Sequence, residues 1–239
     1  MEVELFIPCF VDQLFPQAGF QTQRLLEKAG CTVFYNPAQT CCGQPACNAG
    51  FWAESRVVAE KFIRDFSGER PVIAPSGSCV GFVRNTLEKV LEESPLRGEY
   101  RGLRHQVYEL SEFLVDVLGF DDFGAELPVR ATYHDACGAL RECGIKQAPR
   151  RLLSKVKGLE LVEMADSETC CGFGGTFAVK FESISTGMAD QKLANAAASQ
   201  ADVIISTDLS CLMHLQGYAS RQQQPIRTLH LAEVLTSGW

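Results

Sequence analysis

No stretch of this chain approaches the roughly 18 consecutive apolar residues that a membrane span requires, and no block of Lys or Arg presents a surface for a polyanion. With 22 basic against 29 acidic residues and a formal net charge of −7, neither nucleic acid nor an anionic membrane is an expected partner. The run from Met1 to Pro8 is acidic where a secretory signal is basic, and its apolar stretch is too short to serve as one. A cytoplasmic location is therefore expected. G-x-G-x-x-G, Walker, H-E-x-x-H and hydrolase-triad patterns are all missing, so a self-contained catalyst of those types is not supported and an electron carrier is favoured. The cysteines are not spaced as in zinc ribbons or fingers, nor as in the C-x₂-C-x₂-C run of bacterial ferredoxins.

What the chain does have is cysteine: eleven in 239 residues, of which 46% are apolar, enough to bury a core without covalent staples. Thiols in a reducing compartment are better explained by metal or redox chemistry than by a disulfide framework. Two vicinal pairs stand before glycine, in Cys41-Cys42-Gly43 and Cys170-Cys171-Gly172, and each pair is flanked by single cysteines. The first set, Cys9, Cys41, Cys42 and Cys79, reads C-x₃₁-C-C-x₃₆-C; the second, Cys137, Cys170, Cys171 and Cys211, reads C-x₃₂-C-C-x₃₉-C. Offsets of 128, 129, 129 and 132 relate them, and Arg24-Leu25-Leu26 is echoed by Arg151-Leu152-Leu153. Such a long period indicates two related half-domains rather than a repeat array. Four thiolates per half is the number that an iron–sulfur cluster or a Cys₄ zinc site takes.

The surrounding pattern is α/β. Strands are expected over 2–8, 32–35, 71–74 and around Val107-Tyr108, with helices over 21–29, 52–66, 80–91 and 110–118. After a linker at 119–128, strands recur over 129–134, 159–164 and 203–205, with helices over 150–156 and 185–199. Strand alternating with helix implies two duplicated half-domains, 1–122 and 123–239, each a small, mainly parallel sheet flanked by helices. Cys9, Cys41, Cys42 and Cys79 each follow the C-terminal end of an expected strand, which gathers four sulfurs on one rim.

The remaining candidates carry two readings each. His214, three residues after Cys211, is a further candidate ligand or a bystander, with Phe82 at the matching place after Cys79. His134, three before Cys137, is either a hydrogen-bond donor to the site or a satisfied strand-end histidine, the second being favoured. His105 and His230 have no cysteine nearby and read as surface or core residues. Gly172-Phe173-Gly174-Gly175 either aims backbone N–H groups at the site or only permits tight turns. Cys31, Cys47 and Cys143 read first as buried small hydrophobes, the last two also as spare ligands or redox partners.

With both Cys-Cys-Gly loops placed, the chain resembles the cysteine-rich CCG-domain family, which includes the cysteine-rich component of heterodisulfide reductase and the iron–sulfur component of glycolate oxidase. Cys9, Cys41-Cys42-Gly43-Gln44-Pro45, Pro75-Ser76-Gly77-Ser78-Cys79, Cys170 to Phe177 and Cys211-Leu212-Met213 carry the resemblance along essentially the whole chain. It implies two CCG domains binding one or two iron–sulfur clusters, of 4Fe-4S type, through the eight cysteines, with zinc as a possible substitute. It further implies a cytoplasmic oxidoreductase system that converts L-lactate to pyruvate, in which this chain transfers electrons beside two partner subunits, one carrying ferredoxin-like clusters. The heterodisulfide reductase pattern ends each motif in C-x-x-C, where this chain has Phe82 and His214, and Gly138 stands at the second histidine of the family's H-x-x-C-H. A thiol/disulfide oxidoreductase working through the vicinal pairs, and a zinc-holding assembly subunit, remain the alternatives.

Overall fold

In the computed structural model, which describes residues 1–239, eight strands form two four-stranded sheets. The first holds β1 (Glu2–Leu5), β2 (Thr32–Tyr35), β3 (Val72–Ala74) and β4 (Val107–Glu109) in the order β2-β1-β3-β4. The second holds β5 (Glu126–Tyr133), β6 (Lys157–Leu161), β7 (Val203–Ser206) and β8 (Arg227–His230) in the order β6-β5-β7-β8. Every pairing is parallel, as in β1 with β3 (Leu5↔Ile73) and β5 with β7 (Tyr133↔Ile205). The two sheets therefore share one topology, and the duplicated α/β architecture expected from the sequence is present. In each sheet the chain leaves the first strand to one side and returns to the other, creating a crevice at the carboxyl ends of β1 and β3, and of β5 and β7.

Boundaries differ from expectation in instructive places. The second helix begins early, at Pro16, because proline is tolerated in a first turn, and runs Pro16–Lys28. Strand β8 escaped the sequence reading because Arg-Thr-Leu-His lacks an apolar run, yet it pairs with β7 along its whole length. The 119–128 stretch is not a free tether. Phe123 and Ala125 are buried, Phe123 O accepts a hydrogen bond from Lys28 Nζ at 2.7 Å, and Glu126–Pro128 already belong to β5.

One core is common to both sheets. Val3, Leu5, Leu25, Leu26 and Ile73 from the first half pack with Ala131, Tyr133, Leu152, Val203 and Ile205 from the second, so each half buries one sheet face against its twin. Two flanking cores cover the outer faces, one around Phe6, Phe62 and Phe66, the other around Leu193, Ile204 and Leu215.

The halves meet most closely where helical turns leave the sheets. Helix Gly77–Gly81, after β3, lies on the π-helical turn Gly138–Glu142, after β5. A Cβ on Gly138 would stand 2.6 Å from Ser78 Cα, and one on Gly77 would stand 2.8 Å from Ala139 Cα. Backbone touches backbone here, so no side chain can swing aside. Gly138→Ala is expected to cost about 1–3 kcal/mol in urea unfolding, the range for overpacking. Gly98→Ala, in helix Arg97–Leu103 with open space around it, is expected to gain about 0.5–1 kcal/mol. The opposite order of midpoints would refute the contact.

Candidate metal centre

The duplicated strands deliver the cysteines to duplicated places. Cys9 opens helix Cys9–Leu14 after β1, and Cys137 precedes the turn after β5. Cys79 lies in the first turn after β3 and Cys211 in the first turn of helix Leu209–Arg221 after β7. The vicinal pairs occupy the loops after β2 and β6.

Within each half the four sulfurs form a chain of contacts. Cys9 Sγ lies 3.6 Å from Cys41 Sγ, and Cys42 neighbours Cys41 and Cys79. The second half repeats the order: Cys170 neighbours Cys137 and Cys171, and Cys171 and Cys211 lie within 4.8 Å of each other. Thiol hydrogen bonds from Cys42 and then Cys9, with the Gly43 N–H, push Cys41 down to about 3, while those neighbours are pushed up. Cys137 and then Cys171, with the Gly172 N–H, push Cys170 down to about 2. Each set thus concentrates negative charge on one sulfur that a metal would share.

Both loops turn on a glycine. Gly43 and Gly172 have φ of 97° and 95°, in the left-handed region. Their N–H groups face Cys41 Sγ and Cys170 Sγ at 3.4 Å, and the Phe173 N–H faces Cys171 Sγ at 3.5 Å. The glycine-rich stretch therefore does both things expected of it. A serine from the second helix after each loop braces it: Ser55 Oγ donates to Gly43 O at 3.0 Å and Ser185 Oγ to Gly172 O at 2.8 Å.

Seven of the eight cysteines, all but Cys41, line a single cavity of about 220 Å³ between the halves. Phe10 and Phe173 meet edge to face beside it, with ring centroids 5.5 Å apart. Asp208, which sequence reasoning missed, ties its two sides together. Its Oδ2 accepts from Ser78 N at 2.9 Å in the other half, while its Oδ1 accepts from Ser210 N at 3.2 Å. The only trace in the sequence is its place before a helix, where Asp commonly caps.

The histidines exchange places relative to expectation. His214 is not drawn to the sulfurs: its Nε2 sits 3.3 Å from Ser185 Oγ and beside Gly172, so it supports the loop. His134, expected to be satisfied, is fully buried with neither ring nitrogen hydrogen-bonded, and it forms a group with Cys171 and Cys211 whose ligand atoms lie within 4.8 Å of one another. Burial pushes its pKa down to about 4, so the ring is neutral at neutral pH. Contacting sulfurs together with an orphaned imidazole form a donor set suited to a thiophilic metal group. Cys31 and Cys47 are buried in the cores, and Cys143 donates to Gly77 O at 3.8 Å; none of the three lines the cavity.

Behind the second set, Asp135 is buried against Arg150, which grips both carboxylate oxygens at 2.8 Å, and Ser167 Oγ donates to it at 2.9 Å. Burial alone raises its carboxyl, but Arg150 outweighs that and holds it below the ordinary carboxylate range. A depressed folded pKa gives stability that is present above the unfolded value, about 3.9, and is lost as pH falls through the folded one. Arg150→Met is expected to lower metal-free stability by about 3–5 kcal/mol at pH 7, since it strands a buried charge. The deficit shrinks toward pH 3, as read by urea titration; a pH-independent deficit would contradict the pairing.

The model of the cysteine-rich CCG domain matches this chain twice, over residues 3–84 and 131–216. The chain is 43% identical over 237 residues to lactate utilization protein A of Geobacillus kaustophilus, covering 99% of each. It is 43% identical over 235 residues to the protein of that name from Halalkalibacterium halodurans, covering 98% of this chain and 96% of that one. Among solved structures, a hypothetical protein from Helicobacter pylori matches 98% of the chain at a TM-score of 0.61 and 14% identity, a likeness of fold. The chain spans 48% of that protein's length.

Proposed function

The chain belongs to the CCG cysteine-rich family that includes lactate utilization protein A, and on that premise we propose that it is an iron–sulfur electron-transfer subunit of a system that oxidises L-lactate to pyruvate. The observation that carries the reading is the pair of four-cysteine sets opening onto one cavity. Cys9, Cys41, Cys42 and Cys79 hold one group, and Cys137, Cys170, Cys171 and Cys211 the other. A cluster of this kind supplies a reversible electron acceptor whose potential depends on hydrogen bonds to sulfur and on exposure to water.

The chain's own residues govern both terms. The N–H groups of Gly43, Gly172 and Phe173 donate toward cysteine sulfur and make reduction easier. The buried sulfurs of Cys42, Cys79, Cys171 and Cys211, with the Phe10–Phe173 pair, keep water from much of each set. Electrons released by the hydroxyacid pass through this subunit to a partner in the cytoplasm; two partners are proposed, one with ferredoxin-like clusters of its own. No helix is long and apolar enough to cross a membrane.

Anaerobic reconstitution with iron and sulfide is expected to give about four irons per occupied half and a visible absorbance that dithionite bleaches. Cys41→Ala and Cys170→Ala should each remove one half's share. Zinc in place of iron under those conditions would favour an assembly role, and metal-free protein with one hyper-reactive thiol per pair would favour thiol exchange; either would overturn the electron-transfer reading.

A further inference from the structure

The duplication makes the two halves directly comparable, and it exposes one difference buried beside the sulfurs. The 128-residue offset between Cys9 and Cys137 places Phe6 opposite His134. The 130-residue offset between Ser55 and Ser185, the two loop braces, places Phe62 opposite Lys192. In the first half Phe6 and Phe62 pack edge to face, centroids 5.0 Å apart, both 1% exposed. In the second half the same two places hold a fully buried imidazole and a lysine 2% exposed.

Lys192 is satisfied: Nζ donates to Asp166 O and, at 3.1 Å, to Ser167 O, carbonyls of the segment leading to Cys170. His134 is not, since neither nitrogen has a partner. Leaving an imidazole so buried without hydrogen bonds is unfavourable unless something else takes its nitrogens. The neighbouring donor atoms with which it groups are the sulfurs of Cys171 and Cys211.

We propose that His134 is a ligand of the metal group held by the second cysteine set, which then binds through nitrogen as well as sulfur while the first set binds through sulfur alone. This rests on the metal-centre reading above. The Lys192 ammonium behind this set adds a positive charge that the first half, with Phe62 in that place, does not have, and it makes the second site the easier of the two to reduce. The first half cannot do the same, because phenylalanine offers no donor.

The test uses the full chain purified without oxygen, with and without ¹⁵N-histidine labelling, read by pulsed EPR of the reduced iron form. Cobalt(II)-loaded apo protein is measured in parallel, so that the result does not depend on iron uptake. The expected spectrum carries the coupling of a directly bound imidazole nitrogen, altered by the label. That coupling is lost in His134→Phe and in the polar variant His134→Gln but kept in His214→Phe. Metal-loaded protein without nitrogen coupling, or coupling that survives both His134 variants, overturns the proposal. Iron content is read on the same samples, so iron bound without nitrogen coupling defeats the histidine ligand alone, whereas cobalt uptake without iron defeats the cluster reading alone.

Discussion

The site depends on backbone meeting backbone. Gly77 lies against Ala139 and Gly138 against Ser78, so the helical turns leaving β3 and β5 approach more closely than any side chain permits. That contact brings the rims of two separate parallel sheets together and lets seven of the eight cysteines of the two sets line one cavity. The Asp208 carboxylate works at the same seam, accepting N–H groups from Ser78 in one half and Ser210 in the other. The core shared through Leu5, Ile73, Tyr133 and Ile205 extends the fusion away from the site, so the halves are bound into one body.

Duplication produced equal scaffolds and then unequal surroundings. Both Cys-Cys-Gly loops use a glycine in the left-handed region, an N–H aimed at the first sulfur and a serine brace from the second helix that follows. Behind the loops the halves diverge: aromatic packing of Phe6 on Phe62 in one, buried polar His134 and Lys192 in the other. Desolvation makes that difference large, because buried charge and unpaired donors act in a low dielectric. Two cysteine sets alike in spacing are thereby set apart in electrostatics.

Much of this was legible in the chain. Vicinal cysteines before glycine, repeated at a constant offset after strand-like runs, located the two sets and the rim they occupy, because parallel strands point their C-terminal ends one way. Less legible was whatever depends on contacts between distant segments. His214 looked the better ligand because it is close to Cys211 in sequence, but helix geometry turns it toward Ser185. His134 looked ordinary because nothing in sequence shows that both nitrogens lack partners. Lys192 sits in a helix of ordinary composition and becomes informative only when set against Phe62. Strand β8 and the packed 119–125 connection were obscured by polar residues that serve sheet and core edges here.

The central claim is that each half holds a metal group on its own sheet rim and that both groups face one cavity. Anomalous diffraction at the iron edge, on crystals grown without oxygen, tests it most directly. Two iron peaks are predicted, one among Cys9, Cys41, Cys42 and Cys79 and one among Cys137, Cys170, Cys171 and Cys211, both bordering the cavity beside Phe10 and Phe173. Iron bound away from these sulfurs, or vicinal pairs closed as disulfides in iron-loaded protein, would contradict it.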